Sequence, residues 1–205
     1  MSEKRVEASG IQLGLGTASF VVCFAAWGLI SAFAPRFRDA FSLSATQTAL
    51  LVAIPVVLGS LARIPMGMLT DLHGGRTVFS ILMVASAIPA VWASAASSYG
   101  MLLAAAFCLG LAGSSFAVGV GFVSRWSPPE KQGTALGIFG LGNIGQSATV
   151  FLGPLVAAVF GWQNVFRGVA AILVVWAAVF FLFARNPPDA ARPKGVAEML
   201  HVLRH

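Results

Sequence analysis

Residues Thr46 to Arg76 read TQTALLVAIPVVLGSLARIPMGMLTDLHGGR. The stretch is apolar over the length of a membrane-crossing helix and carries one fixed charge, Arg63, before it closes in Gly67-Met-Leu-Thr-Asp71-Leu-His-Gly74-Gly75-Arg76. A guanidinium at the centre of a spanning helix costs about 2.5–3.5 kcal/mol on insertion scales, so such a residue marks a functional site by default. The rest of the chain must supply the reason for it.

Of the 205 residues, 58% are hydrophobic and 10% charged, against about 25% charged in an ordinary soluble domain. With several apolar runs near the ~20 residues that cross a bilayer, the composition predicts an all-α, polytopic membrane protein. The net charge of +6 would suggest nucleic acid in a soluble protein. Here the charges sit at segment ends, where topology accounts for them and no nucleic-acid partner is expected. Lys4 and Arg5 precede an apolar run that ends in Ala32-Phe33-Ala34, a match to a signal-cleavage pattern. The run from Ile11 to Ala34 exceeds the roughly 7–15 residues of a secretory apolar region and more spans follow, so it reads as a retained first helix.

Six transmembrane helices are expected: Ile11–Ala34, Thr46–Leu69, Val78–Ala95, Met101–Val123, Gly133–Phe160 and Val165–Ala184. The organisation is a cytoplasmic N-terminal tail over 1–10, a six-helix domain over 11–184, and a cytoplasmic tail or linker over 185–205. With the N-terminus inside, Lys4, Arg5, Arg76, Arg125, Lys131, Arg185, Arg192, Lys194 and Arg204 lie on the inner side, and only Arg36, Arg38 and Arg167 on the outer. That bias obeys the positive-inside rule and predicts an integral protein of the cytoplasmic (inner) membrane with both termini inside. Trp126 and Trp162 stand beside expected loops, where amphipathic rings favour the interface. The fourth and fifth spans are rich in small residues, from Gly110 to Gly121 and from Gly133 to Gly145, which mark close helix packing and leave room for a cavity. After Ala184, Arg185-Asn-Pro-Pro-Asp ends the last span. Val196–Arg204 has the pattern of a short amphipathic surface helix.

Cys23 and Cys108 fall in separate spans and read as small packing residues. With His73 in a loop, His201 and His205 in the tail, and no cysteine cluster, no metal site or cofactor is expected. No span holds an acid–base pair, so the chain is not expected to be an enzyme.

Arg63 lies eight residues before Asp71, about 12 Å from the inner helix end. Helical side chains lean toward the N-terminus, which aims Arg63 at the membrane centre and not at the interface. Glu3, Glu7, Asp39, Asp71, Glu130, Asp189 and Glu198 all fall in tails, loops or helix ends, so no span supplies a counter-ion. A water-filled cavity or a bound anion must compensate the charge. The planar fork of arginine suits a planar, delocalised oxyanion better than a lysine ammonium does. Without a carboxylate or histidine in a span to relay protons, anion exchange (antiport) or uniport is favoured over proton symport.

The stretch Gly67–Arg76 resembles the signature between the second and third helices of the major facilitator superfamily. Lys131-Gln-Gly133-Thr-Ala-Leu-Gly137-Ile-Phe-Gly140-Leu-Gly142-Asn143-Ile-Gly145 is similar to the glycine-rich signature in the fifth helix of the nitrate/nitrite porter family within it. The resemblance implies that Arg63 binds nitrate or nitrite, that Asn143, Gly137, Gly140, Gly142 and Gly145 line or flex around its path, and that Gly67, Asp71 and Arg76 belong to the inner gate. Leu72 departs from the signature, which often has a basic residue there. Trp27 and Phe116 could sandwich a planar anion, with core or lipid packing the preferred reading of each. The family fold has twelve helices in two six-helix halves, each with an inverted three-plus-three repeat. This chain corresponds to the N-terminal half, so its expected partners are the anion, the lipid bilayer, and a second six-helix half or a second copy. A carrier of another small anion and a non-transporting truncated fragment are the alternative readings.

Overall fold

The computed structural model describes residues 3–187, with side chains from Ser9 onward. Within them six helical spans are long and apolar enough to cross a membrane: Ser9–Ala40, Ala45–His73, Gly75–Ser94, Tyr99–Trp126, Pro129–Phe160 and Trp162–Phe183. The six expected spans are all present, and no strand occurs among the described residues. The α-helices are α1 (Glu3–Ala40), α2 (Ala45–Leu61), α3 (Arg63–His73), α4 (Gly75–Ser94), α5 (Tyr99–Leu109), α6 (Ser115–Trp126), α7 (Gln132–Gly140), α8 (Ile144–Phe160) and α9 (Trp162–Phe183). The surface helix expected over Val196–Arg204 lies outside the described residues.

α1 starts at Glu3, inside the segment expected as a tail, because Glu3-Lys-Arg-Val-Glu7 are mostly good helix formers that extend the apolar run beyond the hydrocarbon. Three spans are interrupted. The second breaks at Ala62, where Pro65 has no N–H to donate to the Leu61 carbonyl one turn back. The fourth and fifth tighten to 3-10 turns at Gly110–Ser114 and Leu141–Asn143, where glycine weakens the α preference.

These glycines sit where helix backbones meet. α8 runs along α1, α9 along α4, and the second span lies against the fourth. A Cβ on Gly145 would overlap the Val21 carbonyl oxygen, and one on Gly110 would overlap that of Pro55. One on Gly142 would enter the Phe20 ring. Side chains then tie helices together: Thr149 Oγ1 donates to the Ala25 carbonyl at 3.0 Å, and Trp176 Nε1 donates to Ser19 Oγ at 2.9 Å. Such bonds carry weight where lipid offers no hydrophobic drive for helices to associate.

Between the helices lie three aromatic clusters. Phe20 stacks on Phe139 at 4.7 Å and meets Phe24 edge-on at 4.2 Å, at the centre of the bundle. Phe79 and Phe122 both meet Phe180 edge-on, joining α4, α6 and α9. At the far end of α1, Phe37 packs against Phe166 and meets Trp162 edge-on at 5.1 Å. Trp162, the first residue of α9, is therefore buried among aromatic rings.

Two connections have the same form. α3 and α4 are joined through Gly74 (φ 81°, ψ 147°), and α8 and α9 through Gly161 (φ 81°, ψ 148°). A positive φ is costly for any side-chain-bearing residue, so glycine makes both reversals. α2 opens differently, on a capping box in which Ser44 Oγ accepts from the Gln47 N–H and Gln47 Oε1 accepts from the Ser44 N–H.

Burial is uneven. Only 22% of the apolar window is buried in the second and fifth spans, against 56% in the fourth. The outer faces of these two spans are therefore left for lipid or another bundle.

The glycine contacts generate a paired expectation. Gly145→Ala should cost about 1–3 kcal/mol, the usual penalty of overpacking. Gly137→Ala, where an added Cβ meets nothing within 4 Å, should stay within about 0.5 kcal/mol of the parent. Thermal unfolding in detergent measures both.

Candidate functional site

The buried stripe of the second span runs Leu51, Pro55, Gly59, Ala62 and Thr70. Arg63 follows Ala62 directly, at the break, and so lies on the flank of the stripe with its side chain exposed. One turn before it, Gly59 packs on the fourth span, where an added Cβ would stand 2.9 Å from the Gly110 carbonyl oxygen. One turn after it, Gly67 faces open space. Among the described residues Arg63 forms no ion pair, and the only acids with described side chains are Asp39, Asp71 and Glu130. A guanidinium presents five N–H donors and no acceptor, a planar fork whose geometry matches a planar oxyanion.

The fifth-span residues separate into two groups. Gly142 and Gly145 are packed against α1, whereas Gly137 and Gly140 meet no heavy atom within 4 Å of an added Cβ. Asn143 ends the 3-10 turn with an exposed side chain, and its Nδ2 donates to the Gly140 carbonyl at 2.8 Å. One N–H of that amide is thus held, and its second donor and its oxygen have no partner among the described residues.

Trp27 lies half-buried, and its Nε1 is enclosed without a partner. It sits against Gly113, where an added Cβ would be 3.1 Å from that nitrogen. Phe116 keeps 39% of its surface exposed and leans on Phe20 and Phe139 at 5.7 and 6.0 Å.

At one end of the bundle Asp71 and Arg76 are near in sequence but have different partners. Asp71 Oδ1 accepts from Arg125 Nη2 at 2.5 Å, which joins the second span to the fourth. Arg76 turns to the sixth: its Nε donates to the Phe181 carbonyl at 2.7 Å and its Cζ stands 4.3 Å from the Phe181 ring centroid. Its backbone N–H donates to Asn186 Oδ1 at 3.1 Å. The end of the sixth span is held three times more: Gln12 Oε1 accepts from the Arg185 N–H at 3.0 Å, Gln12 Nε2 donates to the Phe183 carbonyl at 3.4 Å, and Trp126 Nε1 donates to the Arg185 carbonyl at 3.0 Å. Gln132 Nε2 adds the fifth span by donating to the Ser124 carbonyl at 3.1 Å. Every span is thus tied into one clasp at this end. A cavity of about 220 Å³ lies inside it, lined by Asp71, His73, Gly75, Arg125 and Asn186. The described residues hold no grouping of His, Cys, Asp and Glu that could bind a metal.

The sequence model of the Major Facilitator Superfamily matches residues 15–205. The chain belongs to that superfamily. It is 40% identical over 190 residues to a protein described as a probable nitrate transporter NarT from Staphylococcus aureus (strain JH9), covering 93% of this chain and 49% of that protein. The protein of the same description from strain Newman matches to the same extent. The chain spans about half the length of the curated relatives it matches. Among solved structures it resembles a bacterial homolog of the human lysosomal transporter Spinster, with a TM-score of 0.78 at 21% identity over 97% of this chain and 47% of that one. It also resembles the xylose transporter XylE from E. coli, with a TM-score of 0.72 at 13% identity over 97% of this chain and 57% of that one. At such identities the likeness is one of fold.

Within this superfamily fold Arg125 is the clasp residue that sequence reasoning counted as an inner charge without giving it a role. Its signal was present: Asp71 and Arg125 end spans of the same direction, on the same predicted side. Gln12 was missed as well. A lone glutamine in the first span has no sequence neighbour that reveals its partner at Arg185.

The clasp predicts an order of losses. Arg125 and Asp71 keep 29% and 45% of their side-chain surface exposed, so a double-mutant cycle of Asp71→Asn and Arg125→Gln should return a coupling below about 1 kcal/mol. Gln12 is 3% exposed, and Gln12→Ala removes its whole buried amide and leaves the part-buried Arg185 N–H and Phe183 carbonyl without it, at a cost of about 1–3 kcal/mol. Denaturant or thermal unfolding of the variants checks the order.

Proposed function

We propose that the chain forms the N-terminal six-helix half of a nitrate/nitrite carrier that works by alternating access, with Arg63 as the anion ligand. One observation carries the reading: Arg63 sits within a membrane-length span, one turn from a tight helix contact, with no counter-ion among the described residues. The 40% identity to proteins described as probable nitrate transporters supports the cargo. Nitrate is flat and delocalised, and two parallel guanidinium donors match two of its oxygens. Asn143, with one amide donor anchored on Gly140 and one open, is suited to a third contact. Gly137 and Gly140 leave the anion path clear, while Gly142 and Gly145 keep the fifth span seated on the first.

The clasp makes this half one rocking body against a second six-helix half, with the anion between them. Gly67, Asp71 and Arg76 serve the inner gate: Asp71 and Arg76 hold the ends of the second and third spans in place, and the open side of Gly67 receives the opposing surface. The matching reversals at Gly74 and Gly161 support an inverted three-plus-three relation within the half. The positive-inside bias supports the cytoplasmic membrane with both termini inside. The scarcity of intramembrane acids favours anion exchange.

Counterflow of labelled nitrate in proteoliposomes that also hold the complementary half tests the proposal. Arg63→Gln should abolish exchange. Arg63→Lys should lose at least about tenfold in kcat/KM, the equivalent of ~1.4 kcal/mol for a lost bidentate contact. Parent-like exchange by Arg63→Lys would sink the bidentate reading.

A further inference from the structure

The seam between α4 and α9 opens outward as two cavities of about 810 and 550 Å³. Both are lined by Val84, Ile88 and Val174, so they form one groove along the two helices. Alanines make its floor: Ala87, Ala170 and Ala177 are all buried. From Ser80 to Trp92 the groove follows about 18 Å of helix, more than half of the ~30 Å hydrocarbon thickness.

Its chemistry is asymmetric. At the end away from the Asp71–Arg125 clasp, Arg167 and Trp92 line the mouth. Arg167 Nε donates to Ser94 Oγ at 3.2 Å, and that hydroxyl donates to the Val91 carbonyl at 2.7 Å. The guanidinium is thereby steered to the mouth, and its two terminal nitrogens make no hydrogen bond or ion pair among the described residues. No acidic residue lines either cavity.

We propose that this groove binds one anionic diacyl phospholipid, with its acyl chains along the alanine floor and its phosphate on Arg167. A single fixed cation at the mouth of an apolar groove complements an amphiphile with an anionic head and a hydrocarbon tail. A zwitterionic head is the poorer ligand, because its ammonium would sit beside Arg167 with no carboxylate in the groove to receive it. The site lies on the outer seam of the bundle and is independent of what the chain transports.

Native mass spectrometry of the full chain in detergent, titrated with phosphatidylglycerol or phosphatidylcholine of identical acyl chains, tests the site. The parent should bind phosphatidylglycerol about fivefold more tightly, the worth of one well-placed arginine near a lipid surface. Arg167→Gln should erase that preference and keep binding at the phosphatidylcholine level, while Arg167→Lys, which retains the charge, should keep most of it. Ala171→Trp should fill the groove and weaken both lipids. Equal affinities in the parent, or a preference that survives Arg167→Gln, overturns the headgroup assignment. Undiminished binding in Ala171→Trp, or a second copy of the chain retained there in place of lipid, overturns the groove.

Discussion

Backbone meets backbone at two places in this bundle, and the rest of the structure depends on it. In lipid the apolar surface of a helix gains little by touching another helix, so cohesion must come from dispersion at short range and from hydrogen bonds. Gly110 brings the fourth span against the Pro55 carbonyl, and Gly145 brings the fifth against that of Val21. Side chains at either site would push the helices apart and forfeit the surrounding contacts. The two approaches also explain why the chain's helices are imperfect. The spans tighten to 3-10 turns at Gly110–Ser114 and Leu141–Asn143, beside the contacts themselves.

Arg63 owes its setting to this packing. Gly59, one turn away, lets the second span lie against the fourth, and the Pro65-induced break at Ala62 follows at once. The charge therefore sits where a rigid contact gives way to an open flank. At the clasp the opposite logic holds, since Asp71, Arg76, Gln12, Trp126 and Asn186 spend their polar groups on neighbours within the same six helices. At one end of the bundle polar groups turn to one another, while Arg63 has no partner among the described residues.

Much of the fold was legible because hydropathy and length carry it. Each of the six spans announces itself by an apolar run, and the ends shift mainly where polar helix formers extend it, as at Glu3 on α1. The aberrant residue Arg63 was legible for the same reason, since a charge stands out against an apolar background. Pairings across the bundle were not. Arg125 with Asp71 and Gln12 with Arg185 join residues 54 and 173 positions apart, and no local pattern encodes which helix lies beside which. The glycines of the fifth span show the same limit. Gly140 and Gly142 look alike in sequence, yet one faces open space and the other a phenyl ring, because a difference of two residues turns the helix by more than half a circle.

The reversals at Gly74 and Gly161 have a mechanical meaning. A connection of one residue stores no slack, so neither helix of the pair α3 and α4, nor of α8 and α9, can slide along the membrane normal without dragging its neighbour by the same distance. Each pair is in effect a folded strut. Axial displacement passes through the connection itself, and bending where the helices are interrupted, at Ala62 or Leu141–Asn143, is what absorbs it.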